Sequence, residues 1–197
     1  MNPRLGSIAA LLLLTGLTAS ARAAAQTSPR RNVIESISQA LKSDGGLTEA
    51  EQGKLLGSLR VRFGDYALQI VTPQREPAVA VVMRMIIEGH FDSAPWDRIT
   101  DVSFAAYQAI SRGAPADVVE GIALYGYRKK ISGDKISLWA NGYRQLTDNK
   151  VPGEVAADLV RNAMENDWDD NAFNTFKWSL VQSVKDRFDL KDYATYI

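Results

Sequence analysis

The sequence contains no cysteine and a single histidine, His90. The absence of cysteine excludes disulfide bonds, thiol nucleophiles, thiolate metal ligands and a lipid-modified cysteine after a leader segment. A lone histidine leaves a zinc site short of its usual ligands, and no Gly-x-Ser-x-Gly turn accompanies it to build a hydrolase triad. We therefore expect no metal and no other cofactor, and we assign His90 to a helix end, where an imidazole meets terminal carbonyls.

The sequence also lacks an excess of charge of either sign, since 23 basic residues face 23 acidic ones. A balanced charge gives no electrostatic basis for binding nucleic acid or an anionic membrane. The basic run Arg128–Lys130 is interpreted as the last turn of a helix, where cations are favourable.

No apolar run approaches the length of a membrane span. The longest, from Ile8 to Leu17, has about ten residues against the roughly 20 that a spanning helix needs. Arg4 precedes this run and small residues follow it, which predicts a signal peptide over residues 1–25 and an exported protein, periplasmic or extracellular, without a stable membrane span. Residues 26–31 are polar and are expected to form a flexible lead-in.

Local signals predict two helices at the start of the folded part. Apolar residues from Val33 to Leu41 recur at helical spacing, which predicts a helix over 32–43. Thr48 and Glu51 form a capping box that predicts a second helix over 49–62. The stretch 66–71 fits a short helix or a strand, and we interpret it as helix.

Three prolines, Pro77, Pro115 and Pro152, stand 38 and 37 residues apart, and each opens an apolar run of helical period. Proline suits a helix start because its missing N–H would be unpaired there and its fixed φ fits the helix. The spacing therefore predicts recurring helical hairpins. The predicted units are 77–112, 115–148 and 152–187.

The predicted fold is a single all-α domain over residues 32–197, built as a short α-solenoid of antiparallel helical hairpins. Each hairpin would cover the apolar face of its neighbour. The period resembles that of HEAT-like repeats, about 40 residues, and this resemblance is architectural only, because residue identity between the units is low.

Most aromatic residues lie on the apolar stripes of their helices and are predicted to be core. Phe104, Tyr127 and Trp178 lie off those stripes, and two interpretations stay open for them: packing between layers, or a groove for a ligand or partner. Trp96 and Trp168 are interpreted as equivalent packing residues at the edges of layers.

No set of residues forms a recognisable catalytic motif. The sequence therefore favours a non-catalytic exported module that binds an unidentified peptide, protein or polymer partner. One alternative is a small enzyme that cleaves cell-wall glycan through a lone buried acid, Glu88 or Glu120. Another is a helical carrier of an apolar small molecule, for which the apolar segment 77–87, with Met83 and Met85, is the indication.

Overall fold

The computed structural model describes residues 30–44, 46–188 and 190. Within them the chain forms eight α-helices and one short 3-10 helix, and the only β pairing is an isolated bridge between Asn32 and Ile70. The expected all-α class is confirmed. The predicted signal peptide and residues 26–29 of the lead-in lie outside the described residues. The α-helices are α1 Val33–Asp44, α2 Glu49–Phe63, α3 Glu76–Phe91, α4 Trp96–Ser111, α5 Ala116–Arg128, α6 Gly133–Asp148, α7 Gly153–Glu165 and α8 Asp170–Lys185.

Side-chain caps mark the starts of four of these helices, among them α2 and α8. At α2, Thr48 Oγ1 accepts from the N–H of Glu51 at 3.3 Å, and the Glu51 carboxylate accepts from the N–H of Thr48 at 2.9 Å. This is the predicted capping box. At α8, Asp169 Oδ1 accepts from the N–H of Ala172 at 2.7 Å. Each cap satisfies backbone donors that have no partner inside the helix.

Prolines stand immediately before three helices. Pro95, Pro115 and Pro152 occupy the N-cap positions of α4, α5 and α7, so the helix starts predicted at Pro115 and Pro152 are confirmed. Pro77 differs, because α3 begins at Glu76 and Pro77 lies inside its first turn. Since the first-turn N–H groups have no intrahelical acceptor, proline costs nothing there. The spacing between Pro77 and Pro115 therefore does not join equivalent positions.

The five connections between α3 and α8 are four-residue turns of the same construction. The second residue of each turn has a positive φ, and the N–H of the third donates to the carbonyl five residues earlier, as in a Schellman motif. These hydrogen bonds measure 2.8 to 3.1 Å. The positive-φ residues are Ser93, Gly113, Lys130, Lys150 and Asp167. The separation between consecutive members of this list is alternately longer and shorter.

Helix starts follow the same repeat. α4, α6 and α8 begin at Trp96, Gly133 and Asp170, which are 37 residues apart. α5 and α7 begin at Ala116 and Gly153, also 37 residues apart. Helices of 16 and 13 residues alternate from α4 to α8. The helices before α3 do not share this interval, because α2 begins 47 residues before α4.

Helices contact one another in a regular order. From α3 to α8 each helix packs on the next, and α2, α4, α6 and α8 also contact in succession, as do α1, α3 and α5. The core lies between these two rows of helices. Trp139 and Phe173, predicted as core, are fully buried, whereas Phe176, predicted with them, is 42% exposed.

The segment between α2 and α3, which we interpreted as helix over 66–71, is helical only in part. Gly64, with a φ of +51°, ends α2 and is followed by a 3-10 helix, Gly64–Leu68. Leu68 is largely exposed, so the segment has no apolar stripe to bury. The chain then extends, and the carbonyl of Gln69 accepts from the N–H of Val33 at 2.9 Å, which ties the segment to α1.

None of the described helices combines the length and the apolar composition that crossing a bilayer requires.

Candidate functional site

An open groove lies between α2 and the start of α4, and we call it the α2–α4 groove. Its volume is about 1380 Å³. Gly53, Gly57 and Val61 line it on the α2 side, and Trp96 and Asp97 line it on the α4 side. This volume exceeds the roughly 300–1,000 Å³ of a typical small-molecule pocket.

Two of the six α2 residues that line the groove are glycines, which leave part of this wall without side chains. Gly53, Gly57 and Val61 are four residues apart and therefore share one face of the helix. A Cβ atom placed on either glycine would have no heavy atom within 4 Å, and Val61 is 86% exposed. An occupant of the groove can thus approach the α2 backbone more closely than side chains would otherwise permit.

The α4 side of the groove is held by hydrogen-bonded charges. Arg62 from α2 forms an ion pair of 2.5 Å with Asp101 on α4. Asp101 also accepts from the N–H of Gly133 at 2.7 Å, which links the groove to the start of α6. The Arg62 guanidinium lies 5.1 Å from the centre of the Phe104 ring. These contacts fix the position of α2 relative to α4.

Arg98 lies where the groove meets a second cavity of about 480 Å³. Its guanidinium donates to the carbonyls of Gly126, at 2.7 Å, and Ile131. Both carbonyls belong to the C-terminal end of α5 and its turn, so Arg98 supplies donors that the helix lacks there. Burial lowers the pKa of Arg98, and the nearby Asp101 carboxylate opposes that shift.

Phe104, Tyr127 and Trp178 occupy three different environments. The Phe104 ring packs edge-on against Phe63 with ring centres 5.3 Å apart. Tyr127 is 7% exposed and borders the second cavity. Burial raises the pKa of Tyr127, with Asp92 as a further cause.

Trp178, by contrast, is 54% exposed, and the Lys177 ammonium lies 5.2 Å from its ring centre. The three aromatic residues stand on α4, α5 and α8, and none of the ring contacts among the described residues joins two of them.

Trp96 and Trp168 are not equivalent, contrary to our interpretation. Trp96 is the first residue of α4, whereas Trp168 lies two residues before the start of α8. Trp96 stacks on His90 at the end of α3, with ring centres 6.3 Å apart. Trp168 instead packs on Phe176, at 4.7 Å.

The two glutamates considered for glycan cleavage lie on neighbouring helices, Glu88 on α3 and Glu120 on α5. Glu88 is half-buried. Glu120 forms an ion pair of 2.5 Å with Arg84. No group of three or more His, Asp or Glu side chains suited to a metal ion occurs among the described residues.

Met85 on α3, which we considered for an apolar carrier, is buried in the core. The cavity that borders α3 at Ile86 and Ile87 has a volume of about 40 Å³, far below the roughly 300 Å³ of a small-molecule pocket.

Two features were not predicted from the sequence: the glycines that line the α2–α4 groove, and the buried cation Lys177, which is 5% exposed. A signal for each was present. Gly53 and Gly57 recur at helical spacing, and Lys177 stands on the apolar stripe of α8 between Phe173 and Leu180. No family model, curated protein or solved structure matches this chain.

Proposed function

We propose that this protein is an exported, non-catalytic binding module, built as a short array of stacked helical hairpins, that holds a peptide segment of a partner protein in the α2–α4 groove. The observation that carries the binding proposal is the open groove over Gly53 and Gly57, where an added Cβ atom would have no heavy atom within 4 Å.

The constant interval of 37 residues supports the array. Helix starts recur at this interval from α4 to α8, and turn residues with positive φ recur at it from the turn before α4 onward. The close contact of Gly89 with Ile99 recurs once, between Gly126 and Ile136. Hydrogen bonds also join neighbouring units: Tyr125 on α5 donates to the carbonyl of Met164 on α7 at 3.1 Å. Contacts between each unit and its neighbour are what a solenoid requires.

Groove chemistry supports a peptide occupant. The exposed Lys54 and Asp97 place one charge of each sign on opposite walls of the groove, while Val61 and Trp96 provide apolar surface. A peptide carries apolar side chains, charges and backbone polar groups together, so it can use all three kinds of wall.

Export is supported by the sequence of residues 1–25 alone, with its basic start, apolar run and small residues. An exported chain without cysteine depends on its packed core for stability outside the cytoplasm.

Filling the groove tests the binding proposal. In Gly57→Leu a side chain would occupy the open wall of α2, and we expect capture of the partner to fall at least tenfold. Gly121→Leu is the matched control, because Gly121 is also an exposed helical glycine with nothing within 4 Å of an added Cβ, but it lies on α5. Replacing glycine in a helix favours folding by up to about 1 kcal/mol, so neither variant should unfold.

The measurement is a pull-down from the exporting cell, with a photoreactive residue at position 58 to mark the groove and one at position 121 to mark the control surface. The proposal requires a protein that crosslinks from position 58, is lost in Gly57→Leu and is retained in Gly121→Leu. Equal recovery by both variants would show that the groove is not the binding surface.

A further inference from the structure

The second cavity, of about 480 Å³, adjoins the α2–α4 groove. Pro95 and Arg98 line both of them. The other residues that line the second cavity belong to the turn between α3 and α4, to the end of α5 and to the turn after α5. A chain that leaves the groove past the start of α4 therefore enters the second cavity next.

Cations predominate among the residues that line the second cavity. Arg98, Arg128 and Lys130 stand there against one acid, Asp92. Arg98 donates to carbonyls at the end of α5 and in its turn, so it contributes charge to the cavity rather than a free donor. Arg128 and Lys130 are exposed, and neither takes part in an ion pair within the part of the chain that the structure describes. Their donors are accessible to a ligand.

The equivalent positions in the next unit hold charges of opposite sign. One repeat interval after Arg98 and Lys130 stand Lys135 and Asp167, which form an ion pair of 2.5 Å. The turn after α7 thus supplies an acid to the cation of the preceding helix, whereas the turn after α5 supplies a second cation. An acid from outside the chain would complete at the second cavity the pairing that the next unit makes internally.

We propose that the peptide held in the α2–α4 groove continues into the second cavity and places an aspartate or glutamate side chain there, beside Arg128 and Lys130. This inference rests on the proposed function, because the acid belongs to the same peptide. Complementary charge selects among partners and speeds their association more than it adds affinity. The second cavity would therefore determine which peptides the groove accepts.

Selection from random peptides displayed on phage, with the purified protein immobilised, provides the probes. Each displayed peptide ends in a linker without a free C-terminus, so a preference for acids can come only from side chains. We expect the recovered peptides to combine apolar residues with aspartate or glutamate towards one end.

Calorimetric titration then compares the best recovered peptide, synthesised with an amidated C-terminus, with a version in which asparagine and glutamine replace its acidic residues. The neutral version should bind at least tenfold more weakly. Exposed charges are screened beyond about 8 Å at physiological ionic strength. The difference between the two peptides should therefore shrink as salt is added.

Three variants locate the acid. Joint replacement Arg128→Glu and Lys130→Glu should remove the preference for the acidic peptide or reverse it. Lys150→Glu is the matched control, because Lys150 is exposed and has the positive φ of Lys130 but lies in the turn between α6 and α7. It should leave the preference unchanged. Gly57→Leu should weaken both peptides, and circular dichroism verifies the fold of each variant.

The outcomes separate this inference from the proposed function. If Gly57→Leu weakens the recovered peptides but wild type binds the acidic and neutral versions equally well, the acid inference is wrong and the groove remains the binding surface. The acid inference is also wrong if the joint charge reversal leaves the preference unchanged. If Gly57→Leu weakens none of the recovered peptides, the proposed function fails and this inference fails with it.

Discussion

At the scale of single residues, two glycines bring consecutive helices into close contact. A Cβ on Gly89 would lie 2.4 Å from Ile99 Cγ1, and one on Gly126 would lie 2.6 Å from Ile136 Cγ1. The two pairs are related by the same interval that separates the helix starts. Because the cores of proteins are close-packed, a contact this short leaves no room for even one added methyl group.

Gly126→Ala is expected to lower the free energy of unfolding by about 1–3 kcal/mol, the usual cost of overpacking a core. Gly121→Ala, five residues earlier on α5, has open space around the added methyl group. It should raise the free energy of unfolding by up to about 1 kcal/mol through helix propensity. Denaturant titration of both variants measures the difference. Two equal effects would show that the contact with Ile136 is not close in solution.

Single residues with a local role were predictable from the sequence. Thr48 and Glu51 reveal a helix start because both partners of the capping box lie within four positions. Lys177 was not identified, because its burial depends on Gly142 of α6, which leaves room for Phe173 and for the aliphatic part of Lys177. The position of Lys177 on the apolar stripe of α8 was a local signal of burial. The room for its side chain comes from a helix far away along the chain, which the stripe alone does not show.

At the scale of helices, a side chain of one helix donates hydrogen bonds to the backbone at the end of the next helix. Arg98 at the start of α4 donates to two carbonyls at the end of α5 and one in its turn, those of Gly126, Tyr127 and Ile131. Its Nε is buried without a partner. The hydrogen bonds therefore have to offset the cost of burying the guanidinium.

Replacing Arg98 with methionine leaves the α5 carbonyls without these donors and should lower the free energy of unfolding by about 2 kcal/mol. Arg84→Met is the control. It removes an ion pair with Glu120 in which the arginine side chain is 60% exposed, and exposed pairs contribute about 0–1 kcal/mol. Thermal or urea unfolding distinguishes the two. A smaller effect for Arg98→Met than for Arg84→Met would contradict the structural role given to Arg98.

Helices with an apolar stripe and a capping residue were predicted with nearly correct bounds, as α1 and α2 show. The segment 64–71 was not, because its conformation depends on a single bridge to Asn32 rather than on its own periodicity. Pro77 was assigned to the wrong register because proline is tolerated both at the N-cap and inside the first turn. The sequence alone does not separate these two positions.

At the scale of the whole molecule, the interval between equivalent helix starts was close to what the spacing of prolines predicted. The residues that show this interval are not the three prolines used for the prediction. They are the turn residues with positive φ and the first residues of the helices, whereas Pro77 does not fit the interval. The α2–α4 groove lies where the interval fails, since α2 is 47 residues ahead of α4. The proline spacing therefore carries information about the helices from α4 to α8 and none about a groove that involves α2.

The repeat itself is tested by deleting one period. Removal of residues 116–152 joins Pro115 to Gly153, which restores the Pro-Gly junction already present at Pro152–Gly153. If near-equivalent units stack on one another, the shortened protein should fold as a monomer with unchanged helix content per residue and a cooperative urea transition. A deletion of 116–132 removes α5 and the turn after it but keeps α6, so it takes out half of a unit and breaks the alternation of helices, and this protein should not fold. Circular dichroism and urea unfolding of the two proteins decide the matter: a folded 116–152 deletion beside an unfolded 116–132 deletion is the predicted result, and equal failure of both would contradict a fold built from stacked units.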